Sequence, residues 1–111
     1  MAIVALDVAS YDHFIESNDR VVVHFWAEWN AYCDGEMRAR LAELNNSYGN
    51  LIAFASFDAS LEQHLEKCRL VRVMNLPALA LYRSGQHLAT IVGLGELQRT
   101  VSGLEKLLTA D

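Results

Sequence analysis

Apolar residues along the chain fall into short, nearly continuous runs and into longer stretches where they recur every three or four positions. The runs Ile3–Leu6, Val21–Trp26, Leu51–Phe57, Ala78–Tyr82 and Leu88–Val92 have strand length. Val21–Trp26, β-branched then aromatic, reads as a strand buried on both faces. The periodic stretches predict helices. Ser10 suits the N-cap of one reaching Ser17, with Tyr11, Phe14 and Ile15 inward. Met37, Leu41, Leu44 and Tyr48 stripe a second that stops near Gly49. Ser60 suits the cap of a third reaching about Cys68, with Leu61 and Leu65 on its stripe. Leu97, Val101, Leu104 and Leu108 mark a fourth over Glu96–Leu108. Ser84-Gly85 between the last two runs signals a hairpin. The order is therefore β-α-β-α-β-α-β-β-α, which implies an α/β domain with a mixed sheet of about five strands flanked by four helices.

A chain of 111 residues accommodates one domain, 1–111, with a real core but not two. A net charge of −5 without a basic cluster excludes a nucleic-acid partner. Lys67, Arg69 and Arg72, split by apolar neighbours, read as a solvated face. No apolar run has the length of a membrane span, and Met1–Ser10 does not read as a signal peptide. Two cysteines, Cys33 and Cys68, make neither a disulfide framework nor a metal cluster. A reducing, cytoplasmic compartment and a monomer without metal or cofactor are expected.

The chemistry concentrates where the central strand meets the second helix. Residues 25–29 read Phe-Trp-Ala-Glu-Trp, residues 30–33 Asn-Ala-Tyr-Cys, and residues 75–78 Asn-Leu-Pro-Ala, which contain the one proline of the chain. This arrangement resembles the thioredoxin family over essentially the whole chain. The family opens its helix with Cys-Gly-Pro-Cys after a strand ending FWA-x-W, and carries an Ile-Pro-Thr turn. On that resemblance Asn30 stands where the attacking cysteine would be, and Cys33 stands at the resolving one. Leu76-Pro77 is expected to be cis, and Gly93 follows the hairpin as in the family. His24 falls where the family has a buried carboxylate, Ser56 where it has the paired lysine, and Asp34 where it usually has a basic residue. Arg38 or Arg40 replaces a helix-kinking proline.

A dithiol reductase attacks with one thiolate and resolves with a second. Asn30 carries no nucleophile, so disulfide-reductase turnover is expected to be absent or very low. Asn30 instead suits an N-cap for a helix starting at Ala31, while Asp34-Gly35 offers a second start. A helix N-terminus favours a Cys33 thiolate, whereas Glu28, Asp34 and Glu36 oppose it, so a reactive monothiol and an inert thiol both stay open. His24 reads chiefly as a neutral buried histidine with one satisfied hydrogen bond, and otherwise as a proton relay. Trp26 reads as core and Trp29 as an exposed anchor beside Asn30. Cys68 reads as a small hydrophobe, far from the active-site turn.

Three functions follow, in order. The first is a polypeptide-binding module that uses Trp29, Tyr32, Leu76, Pro77 and Gly93, the turn residues supplying backbone groups for strand addition. The second is a monothiol protein forming mixed disulfides with a protein client or glutathione through Cys33. The third is an oxidoreductase that borrows Cys68.

Overall fold

The computed structural model describes residues 3–30, 35–73, 75–92 and 107. Strands β1 (Val4–Leu6), β2 (Arg20–Trp26), β3 (Ala53–Asp58), β4 (Ala78–Arg83) and β5 (Gln86–Val92) form one sheet in the order β1-β3-β2-β4-β5. β1 and β2 run parallel to β3; β2–β4 and β4–β5 are antiparallel. Three α-helices are described: α1 (Val8–Glu16), α2 (Glu36–Tyr48) and α3 (Leu65–Leu70), the last preceded by a 3₁₀ turn at Glu62–His64. The expected fourth helix lies outside the described residues except for Leu107, which is helical and buried.

β2 is central because every residue from Val21 to Phe25 is buried. Each large apolar side chain so covered contributes about 1.5–3 kcal/mol. One sheet face gathers Val21, Val23, Phe25, Ala55, Phe57 and Tyr82 under α1 and α3. The other gathers Val22, Phe54, Leu79, Leu81 and Ile91 under Met37, Leu41 and Leu44 of α2. Leu107 packs on this second face, and its carbonyl accepts from Arg20 Nε at 3.0 Å. The β4–β5 turn is tight: Ser84 and Gly85 both have positive φ (52° and 82°), the left-handed pair a two-residue hairpin demands. A register shift beyond it leaves Leu88 without a partner in β4.

Four expectations are corrected. α1 begins at Val8, capped by Asp7 rather than Ser10. Asp7 Oδ1 accepts from the Ser10 backbone N–H at 2.8 Å, while Ser10 Oγ accepts from the Asp7 N–H at 3.0 Å, so Ser10 is the inner member of a capping box. In the third helix the inward residues are His64, Cys68 and Val71, whereas Leu61 and Leu65 are exposed. The 3₁₀ turn changes the phase of the stripe, and Ser60 caps no helix but donates its hydroxyl to Asp58. Lys67 is not simply solvated: its ammonium pairs with Asp12 at 2.8 Å and lies 4.8 Å from the centre of the Tyr11 ring. Trp26 is half-buried, not core, and the Arg38 guanidinium lies 4.2 Å over its ring.

Gly49 ends α2 with φ −60°, a conformation open to any residue. What favours glycine there is space, since a Cβ would stand 2.5 Å from the Asn45 carbonyl oxygen.

Candidate functional site

β2 delivers the chain to the edge of the sheet at Trp26, and a turn closed by Asn30 N–H to the Ala27 carbonyl (3.1 Å) follows. Ala27 is buried, so the turn is anchored while Trp29 stands 70% exposed. Opposite it, the Leu76–Pro77 peptide bond is cis. The two segments are joined through a side chain: Asn30 Nδ2 donates to the Leu76 carbonyl at 3.1 Å. The Leu76 N–H donates to the Asn75 side chain at 3.0 Å.

Between these segments lies a cleft of about 280 Å³, lined by Trp29, Asn30, Leu65, Cys68, Val73 and Leu76. The structure thus brings Trp29, Asn30 and Leu76 together and sets the buried Pro77 behind them. Cys33, Tyr32 and Gly93 lie outside the described residues, as do Ala31 and Asp34. Among the described residues α2 starts at Glu36 with Gly35 as its N-cap.

Cys68 was expected far from the turn, yet it shares this cleft with Trp29 and Asn30. It sits on the inward face of α3, which contributes Leu65 and Cys68 to the cleft wall. The thiol is 7% exposed, and burial pushes its pKa up, which keeps it protonated and unreactive.

His24 is 2% exposed on the opposite sheet face. Its pKa falls to about 4, first through loss of solvent and then through the Arg38 charge, so the ring is neutral at pH 7. The expectation of a neutral buried histidine holds. His24 Nε2 has no hydrogen-bond partner among the described protein groups. Ser56 is its ladder neighbour on β3, and Arg38, not a β3 residue, brings the nearby positive charge.

Sequence reasoning passed over His64. It is buried, stacks on Phe57 with ring centres 4.1 Å apart, and donates from Nδ1 to the Asp58 carbonyl at 2.8 Å. Its one signal was its place four residues before Cys68, on the same helical face. Among the described residues no three His, Cys, Asp or Glu side chains come together as metal ligands, and no helix is long and apolar enough to cross a membrane.

A strand entering a turn, a cis-proline loop facing that turn and a mixed five-stranded sheet define the thioredoxin fold. The thioredoxin family model matches residues 2–106, and the chain belongs to that family. It is 29% identical over 87 residues to the bifunctional thioredoxin reductase/thioredoxin of Mycobacterium leprae (strain TN). That match covers 78% of this chain but 18% of the Mycobacterium protein. Mitochondrial thioredoxin 3 of Saccharomyces cerevisiae superposes with a TM-score of 0.82 at 23% identity, over 94% of each chain. Chlamydomonas reinhardtii thioredoxin f2 does so with a TM-score of 0.81 at 19% identity, over 99% of each chain.

Proposed function

We propose that this thioredoxin-family domain binds polypeptide segments without dithiol-reductase turnover. One observation carries the reading: the cleft beside the cis-proline loop is lined by an exposed aromatic side chain and by apolar groups, while the turn residue facing Leu76 is an amide rather than a thiol. Trp29, large, aromatic and exposed, is the type of side chain that anchors a peptide. Leu65, which lines the same cleft, is also exposed. Tyr32, Pro77 and Gly93 complete the proposed surface on the family resemblance. Cytoplasmic residence and a monomeric state go with this reading.

The test is titration with a permanently unfolded polypeptide, reduced and carboxymethylated α-lactalbumin, followed by tryptophan fluorescence. Saturable binding that Trp29→Ala weakens by about tenfold or more, worth ~1.4 kcal/mol, is expected. Mass spectrometry after exposure to oxidised glutathione separates the competing thiol function. Stoichiometric adduct on Cys33 together with no polypeptide binding would replace this reading with the monothiol one.

A further inference from the structure

Helix α3, which walls the peptide cleft, stops in a left-handed turn. The Val73 N–H donates to the Cys68 carbonyl at 2.9 Å, and the Arg72 N–H donates to the Arg69 carbonyl at 3.1 Å. Such a pair of bonds closes a helix C-terminus when the residue after the cap has positive φ, and that residue is usually glycine. Here it is Arg72, with φ 60°. A side chain is strained in that conformation, so the contacts around it must hold the turn. Val73, the next residue, lines the cleft, as do Cys68 and Leu76.

One such contact comes from the sheet. The Thr90 hydroxyl on β5 donates to the Val71 carbonyl at 2.7 Å, satisfying one of the acceptors that a helix end leaves open. Thr90 is the ladder partner of Ala80, which belongs to the sheet face under α1 and α3. The one hydroxyl proton is committed to Val71, so His87 Nε2, 2.8 Å from the same oxygen, is the donor in that pair. On the other side of the cleft wall, β4 begins at Ala78, directly after the cis-proline, and Ala78 pairs with Val92 of β5. β5 therefore braces the chain on both sides of the wall, at Val71 through Thr90 and at Ala78 through the ladder. Asn30 grips it once more at the Leu76 carbonyl.

We propose that Thr90 is a positioning residue for polypeptide: through the Val71 carbonyl it fixes the end of α3, and with it the wall that Cys68, Val73 and Leu76 give the cleft. Thr90 is not one of the lining residues, so its effect on binding passes through Val71. This role rests on the polypeptide reading of the cleft proposed above. Without the hydroxyl, the strained turn at Arg72 relaxes, Val73 leaves its place and the Cys68 thiol becomes accessible.

Two measurements test it in Cys33→Ser protein, which keeps Cys68 as its one thiol. They are polypeptide affinity by tryptophan fluorescence and the rate at which N-ethylmaleimide labels Cys68 in the folded protein. Thr90→Val keeps the shape and deletes the hydroxyl, so labelling should run about tenfold faster and binding should weaken about tenfold. Thr90→Ser should restore both. Ile52→Val, a core substitution on the opposite sheet face, should lower global stability and change neither. Unchanged labelling in Thr90→Val, undiminished binding beside faster labelling, failure of serine to rescue, or equal acceleration in Ile52→Val would each overturn the positioning role. Faster labelling that serine reverses, in a protein that binds no polypeptide even as wild type, would overturn the polypeptide reading alone and support the hold of Thr90 on the wall.

Discussion

The side-chain amide of Asn30 donates to the carbonyl of Leu76 at 3.1 Å, tying the turn after β2 to the residue that precedes the cis-proline. A thiol at position 30 makes no comparable bond, since sulfur donates weakly. The tie between the two segments therefore belongs to the amide. It also occupies one lone pair of a carbonyl that strand addition by a bound peptide would use.

Asn30→Ala should thus act in two directions. Loss of a part-buried amide–carbonyl bond should lower stability by about 0.5–1.5 kcal/mol, seen as an earlier urea midpoint. Polypeptide affinity should rise, or at least not fall, as the Leu76 carbonyl is released. A variant that is less stable and also binds more weakly would show that Asn30 contacts the ligand itself.

The five strands, the mixed sheet and the central position of β2 were legible because five apolar runs have strand length and Val21–Trp26 is interrupted only by His24, whereas the order of strands within the sheet was not. The cis turn at Leu76-Pro77 was expected from the family resemblance, and the exposure of Trp29 was expected beside it. Phase was not legible where turns intervene. The 3₁₀ turn at Glu62–His64 rotates the stripe so that His64 and Cys68 go inward and two leucines outward. A capping box also presents two equally good caps to a reader of one-dimensional sequence, and only the backbone shows that Asp7 is the outer one. The proximity of Arg38 to His24 arises between a helix and a strand, which no local pattern encodes.

Tyr11 and Tyr82 meet hydroxyl to hydroxyl at 2.6 Å inside the core between α1 and β4. Both are buried, and burial pushes both phenols above their ordinary range. Tyr11→Phe or Tyr82→Phe alone leaves one buried hydroxyl unpaired and should cost about 1–3 kcal/mol. The double variant removes both polar groups and should be less destabilised than the sum of the singles. Strict additivity in a double-mutant cycle from urea denaturation would show that each hydroxyl had found another partner.

His24 makes stability depend on pH in a defined window. Its folded pKa, about 4, lies below its ordinary value of 6.5, so below pH 6.5 the unfolded chain takes up a proton that the folded chain refuses. Stability is lost as pH falls from about 6.5 to 4, by roughly 3 kcal/mol for a shift of this size. His24→Gln should lower stability near pH 7 yet flatten this part of the profile. The measurement is the difference between the two proteins' unfolding free energies at pH 7 and pH 4.5, which cancels the carboxylates they share. Parallel profiles would mean that the imidazole charges without leaving the fold.

Asn30→Cys separates the missing sulfur from its surroundings. It creates a Cys-x-x-Cys spacing with Cys33, the spacing at which the family forms its bridge, so oxidation in air should give an intramolecular disulfide detectable by thiol titration. Insulin reduction should nevertheless stay at least about a hundredfold below that of a dithiol thioredoxin, since general acid–base assistance contributes about 10²–10⁴-fold and the group beneath this site is unsuited to it. A base must accept a proton near neutral pH, but His24, with a pKa of about 4, binds one too weakly to do so well. Ser56 brings no charge to assist it. The substitution also removes the Asn30–Leu76 tie, so bridge formation should restore some of the stability lost with the amide. If the variant reduces insulin at a dithiol rate, proton transfer runs by a route that bypasses His24. If no bridge forms, the chain between Asn30 and Gly35 follows a different path from the family's.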